Sequence, residues 1–139
     1  MRVLIDTNVV MDVLQNRAPF DEAAKKIFLA AANEEFEGFI SGGSVTDIYY
    51  ICHRYTHDSE RTRDIINNLL MVFNIADCLG IDCEKALHSA VSDYEDAVIC
   101  EVAIRHQFDC IVTRNLDDFK KAGIKVYSPD EFLGVLGEV

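Results

Sequence analysis

The residues of this chain best suited to chemistry are acids and amides placed where apolar runs end. Asp6 and Asn8 follow the run Val3-Leu4-Ile5, and Asp47 stands in the first turn of the helical pattern after Phe39-Ile40. Asp93 and Asp96 open a strongly apolar helical pattern, and Asn115, Asp117 and Asp118 follow Cys110-Ile111-Val112. Oxygen donors without accompanying His or Cys suit a hard cation, Mg²⁺ or Mn²⁺, rather than zinc. Such a cation is a standard device for phosphodiester hydrolysis: it lowers the pKa of the attacking water, and a second ion stabilises the leaving oxygen.

Each acid also has a plainer reading. Asp near a helix start caps it and complements the macrodipole. Asp96 resists that reading, because it stands directly before Ala97-Val98-Ile99 on a helix with little polar surface. A carboxylate buried there is costly unless it is paired or holds a metal. Asp6 raises the same question, and no Lys or Arg lies within three residues of either. The candidate donors at these strand ends and helix starts are therefore Asp6, Asn8, Asp47, Asp93, Asp96, Asn115, Asp117 and Asp118. Asn8, Ser44, Thr46 and Thr113 are small hydrogen-bonding residues at the same strand ends, suited to fixing the carboxylates or their waters. Arg54, with Arg61 and Arg63 near it, could guide RNA, and Arg114 could touch a phosphate. Both also read as ordinary solvated arginines.

Elements must bring these residues together. Strands are expected over residues 2–5, 37–41, 73–78, 109–113 and 124–127, with Gly42-Gly43 as a turn. Between them, helical spacing marks residues 8–14, 21–33, 44–57, 59–70 and 94–106, and Asp82 is expected to cap a further helix. Residues 97–104 are apolar nearly all round, as in a helix covered on several sides. Ser128-Pro129-Asp130-Glu131 opens the last helix with a capping box and proline at the first helical position. Strands alternating with helices imply an α/β fold with a mostly parallel five-stranded sheet and helices on both faces. In such a sheet the strand C-termini share one edge, where ligands bind.

Composition bounds the rest. The 139 residues, half of them hydrophobic, suit a single domain over 1–139 with one sizeable core. A formal net charge of −11 excludes a general nucleic-acid coat protein. It leaves room for an enzyme that meets phosphate through a cation. No apolar run is long enough to span a membrane and no basic leader precedes an apolar stretch, so no membrane association and a cytoplasmic location are expected. The five cysteines include no C-x-x-C pair and mostly lie in apolar stretches, consistent with buried free thiols.

The chain resembles the PIN-domain family, the fold of many bacterial and archaeal toxin ribonucleases of the VapC type. The resemblance is carried by LIDTNVVMDVL at 4–14, ISGGSVTDIYYI at 40–51, DYEDAVICEVAIRH at 93–106, IVTRNLDDF at 111–119 and VYSPDEFL at 126–133. It implies a three-layer α/β/α sandwich, Mg²⁺ or Mn²⁺ dependence, RNA as substrate, homodimers and, for toxin members, a small antitoxin protein as partner. By position, the resemblance implies Asp6, Asp47 and Asp96 as catalytic acids and Asp6, Asp47, Asp93, Asp96, Asn115 and Asp118 as metal ligands: Asp6 matches the family's first acid and Asp96 its third, with Asp93 as an accessory. Asp47 stands where the family usually has Glu. Asn115 stands where many members carry a fourth acid, and Asp118 is placed to compensate. Two other functions remain open on the residues alone. One is a catalytically weak PIN-like binding module. The other is an Asp-based phosphotransfer or phosphatase domain, although Asn8 stands where the phosphatase pattern wants a second Asp.

Overall fold

The apolar run at the N-terminus becomes the central strand of the sheet. In the computed structural model, which describes residues 1–137, β1 (Arg2–Ile5) lies between β2 (Glu37–Ser41) and β4 (Cys110–Val112). β3 (Asn74–Ala76) and β5 (Val126–Tyr127) form the edges, giving the order β3-β2-β1-β4-β5. All four pairings are parallel, with Leu4 opposite both Phe39 and Ile111. The central strands are nearly continuous apolar runs because helices cover both faces.

Side chains alternate along each strand and so feed two cores. Val3, Ile5, Ile40, Cys110 and Val112 pack with one cluster. It is completed by α1 (Thr7–Leu14), α2 (Asp21–Ala32), α3 (Gly42–Thr56), α4 (Ser59–Leu70) and α7 (Pro129–Leu136). Leu4 and Ile111 face the other, built with α5 (Gly80–Ala86) and α6 (Tyr94–Arg105) and closed by Phe108 and Phe119. This is the three-layer α/β/α arrangement, with every strand parallel.

Several local expectations shift. Gly42 and Gly43 begin α3 rather than forming a turn, with Ser41 as its extended N-cap residue. Asp82 is not the N-cap residue of α5, which is Leu79; it is the third helical residue and reaches back, its Oδ2 accepting from Leu79 N at 2.9 Å. Its other partner is Arg105 of α6, whose Nε donates to Oδ1 at 2.9 Å. Burial raises the Asp82 carboxyl, but the bonds from Arg105 and Leu79 outweigh it and hold the group below its ordinary value. α6 is covered on one broad face only, since Ile104 remains 43 % exposed. Asp93 and Ser128 cap as expected, Ser128 with its capping box and Pro129 behind it. Cys52, Cys100 and Cys110 are buried, whereas Cys78 is half-buried and Cys83 exposed.

Candidate active site

β1 and β4 end side by side, and their ends build the centre of the site. Asp6 N extends the ladder by donating to Val112 O at 3.0 Å, and the Asp6 side chain then caps α1 through Thr7 N at 2.8 Å. The carboxylate is 5 % exposed. Its Oδ2 accepts from Thr113 Oγ1 at 2.7 Å and from Asn8 Nδ2 at 3.3 Å. Thr113 Oγ1 in turn accepts from Asn8 Nδ2 at 3.2 Å and Asn115 N at 3.1 Å, and Asn8 Oδ1 accepts from Arg114 N at 3.3 Å. One buried carboxylate is thus oriented by both strand ends. Burial pushes its pKa up, and a nearby Asp118 adds to this; the bonds from Thr113 and Thr7 and the charge of Arg114 offset only part.

A cleft of about 340 Å³ opens over this carboxylate. Asp6, Asn8, Asp93, Asp96, Asn115 and Asp118 all line it, as does Glu95. Three separated segments therefore deliver their candidate acids and amides to one place. Asp96 is half-buried at the start of α6, and its pKa is pushed up to about 7. Burial is the largest cause, followed by the charges of Asp6, Asp93, Asp118 and Glu95. Asp93 carries two duties, since its Oδ1 also accepts from Asp96 N at 3.0 Å.

The remaining candidates fall elsewhere. Asp47 is exposed on α3 and lines an adjoining cavity of about 190 Å³ with Ser41, Ser44, Cys78 and Tyr94. Glu95 lines both cavities and meets Asp47 side chain to side chain; burial first, then Asp47, raises the Glu95 carboxyl. Thr46 turns its hydroxyl back to Gly43 O at 2.9 Å and lines neither cavity. Arg54 is exposed on α3 and lines neither cavity. Arg114 is held by the fully buried Asp12, Nε to Oδ2 at 2.6 Å and Nη2 to Oδ1 at 3.0 Å, and lies 4.0 Å over the Phe20 ring. Its guanidinium is a structural cation. A larger groove between α2 and α7 holds none of the candidate acids.

Sequence reasoning missed Asp12, Arg17 and Glu95. Asp12 carried the same signal as Asp96, an acid embedded in an apolar helix, Val-Val-Met-Asp-Val-Leu. Glu95 stands in the first turn of α6, where any acid complements the helix dipole, so its position carried no separate signal. Arg17 lay in a loop with no pattern to mark it.

The side chains that could hold a divalent cation are Asp6, Asp96, Asn115 and Asp118, with Asp93 and Glu95 also lining the cleft. The fit is chemical: the donors are oxygens, and Asp6 and Asp96 are carboxyls raised by burial and by neighbouring acids, which a cation would offset. Among the described residues no three His, Cys, Asp or Glu side chains stand in a chelating group, and Mg²⁺ is commonly held by one or two carboxylates with water completing its shell.

A family model described as PIN domain matches residues 2–117. No curated protein sequence matches the chain. Solved structures do. A toxin–antitoxin complex from Klebsiella pneumoniae is 26% identical, covering 91% of this chain and 97% of that one at a TM-score of 0.66. The DNA-bound VapBC of Salmonella typhimurium is 18% identical, covering 93% and 98%, at a TM-score of 0.70. A sarcin–ricin-loop-cleaving VapC toxin of Mycobacterium tuberculosis is 12% identical, covering 85% and 93%, at a TM-score of 0.65.

Proposed function

The chain belongs to the PIN-domain family, and from that premise we propose that it is a metal-dependent endoribonuclease, the toxin of a toxin–antitoxin pair. The observation that carries the proposal is the shared cleft of Asp6 and Asp96, two carboxyls raised by burial, with the charge of Asp6 adding to the rise at Asp96. Raised carboxyls gathered in one cleft are the mark of a functional site.

Asp6, Asp96, Asn115 and Asp118 would hold Mg²⁺ or Mn²⁺, with Asp93 and Glu95 adding negative charge. Bound there, the cation lowers the pKa of the attacking water and offsets charge building on the phosphate. Thr113 Oγ1 and Asn8 Nδ2 both donate to Asp6 Oδ2 and so hold the carboxylate in one orientation. That orientation matters because outer partners of a metal ligand commonly change affinity about 10- to 100-fold. RNA as substrate, a small antitoxin protein as inhibiting partner and assembly as a homodimer belong to the same proposal. The toxin–antitoxin complexes among the structural neighbours support the partner, and the RNA-cleaving neighbour supports the substrate.

The test is cleavage of a mixed RNA substrate with Mn²⁺, repeated with EDTA, alongside co-expression with the product of any small adjacent reading frame. Activity that EDTA abolishes and the co-expressed protein suppresses supports the reading. One observation favours a second reading, a catalytically weak binding module: Asp47 lines the neighbouring cavity rather than the acidic cleft. Stable RNA binding without cleavage in Mn²⁺ would favour that module.

A further inference from the structure

Arg17 is the only basic side chain lining the acidic cleft among the described residues. Its backbone is fixed on both sides: Arg17 N donates to Asp12 O at 3.0 Å, and Arg17 O accepts from Phe20 N at 2.9 Å. Asn16, left-handed at φ 49°, makes the turn that brings it there. The guanidinium is aimed as well, with Nε donating to Gln15 Oε1 at 2.7 Å. Gln15 Nε2 is buried and has no hydrogen-bond partner, so the one side-chain bond of this amide is the one that orients the arginine.

The charge of Arg17 is not consumed within the fold. Asp12 is its nearest acid, but Arg114 grips both oxygens of that carboxylate, at 2.6 and 3.0 Å. Arg17 Nη1 stands 3.9 Å from Oδ1. One buried carboxylate thus faces two guanidiniums, and the closer pair neutralises it. The charges that most affect Asp6 belong to Arg114 and Asp118, and those on Asp96 to Asp6, Asp93, Asp118 and Glu95. Arg17 is therefore a held cation with spare hydrogen-bond donors beside the acids.

Resting on the nuclease reading, we propose that Arg17 is the phosphodiester-binding group of the cleft, its guanidinium holding non-bridging oxygens of an RNA backbone phosphate next to the acids. The planar fork of N–H donors matches phosphate geometry. With a chain net charge of −11, no general field draws RNA in, so a local cation has to fix where the polyanion docks. Arg17 positions substrate and takes no proton.

The experiment is fluorescence anisotropy of a labelled ten-nucleotide single-stranded RNA titrated with Asp6→Asn protein in Mg²⁺, with and without Arg17→Gln, over a KCl series. Arg17→Gln is expected to weaken binding about tenfold, roughly one charge-assisted contact. The slope of log affinity against log salt should fall by about 0.7. Arg17→Lys should keep that slope while losing part of the affinity, because the charge stays and the fork goes. In active protein, Arg17→Gln should act mainly on KM. Thermal unfolding of Arg17→Gln close to that of its parent excludes a folding defect. Equal affinity and slope with and without Arg17, or no RNA binding by the Asp6→Asn parent, overturns the proposal. Arg17-dependent binding by a wild type that cleaves no RNA would keep the phosphate site and overturn the nuclease.

Discussion

Thr113 Oγ1 donates to Asp6 Oδ2 at 2.7 Å, joining the end of β4 to the end of β1 through a fully buried hydroxyl. The same oxygen accepts from Asn115 N, so the segment that carries Asn115 and Asp118 is tied to the Asp6 carboxylate through one atom. Fold and candidate site are coupled there.

Thr113→Val removes that atom while keeping the shape. The variant should lose about 1–2 kcal/mol of stability, the cost of leaving buried partners unsatisfied. Its Mn²⁺ requirement for RNA cleavage should rise about tenfold or more. Thermal unfolding and a metal titration of activity measure the two effects.

Asp96 supplies a pH-dependent prediction for the metal-free protein. Its carboxyl is pushed up to about 7 in the fold from an ordinary value of 3.8. A carboxyl raised by folding stabilises the fold while protonated, and that contribution is lost as pH climbs from the unfolded value through the folded one. In EDTA at pH 8, Asp96→Asn should therefore be the more stable protein by about 1–2 kcal/mol after allowance for solvent screening. That is a rise in Tm of about 3–6 °C. The advantage should vanish near pH 4, and Mg²⁺ should stabilise wild type but not the variant.

Asp12 and Arg114 predict the opposite behaviour. Asp12 is fully buried and Arg114 half-buried, and their pair anchors α1 to the segment after β4. Asp12→Asn leaves a guanidinium without its partner and should cost about 2–4 kcal/mol in thermal unfolding at neutral pH. Loss of activity in Arg114 variants should track loss of folded protein.

Glu95 and Asp47 divide the acidic work unevenly. Glu95 lines the cleft with Asp6, whereas Asp47 lines the neighbouring cavity and meets Glu95. Glu95→Gln should weaken Mn²⁺ activation by about tenfold. Asp47→Asn should weaken it less. A metal titration of cleavage rates ranks the two, and a larger loss for Asp47→Asn would assign Asp47 to the metal directly.

Much of this was legible before any coordinates. β1, β2 and the capping box at Ser128 follow from apolar runs and local hydrogen-bond chemistry, which need no tertiary context. The convergence of Asp6, Asp96 and Asn115 follows from one rule of parallel sheets. The sequence is silent where long-range partners decide. The ion pair of Asp82 with Arg105, 23 residues on, leaves no local mark beside its bond to the start of α5. Arg114 reads as a phosphate contact or a solvated arginine, because Asp12 is 102 residues away in sequence. Gly42-Gly43 read as a turn because local propensity favours one, and packing of α3 on the sheet overrode it.

The most direct measurement is cleavage of RNA by wild type and Asp6→Ala, each purified identically and assayed with Mn²⁺ and with EDTA. Wild type should cleave in Mn²⁺ and stop in EDTA, and Asp6→Ala, still folded by circular dichroism, should fall by about a thousandfold or more. Equal cleavage by Asp6→Ala, or wild-type cleavage that survives EDTA, would contradict the assignment of this cleft as a metal-dependent nuclease site.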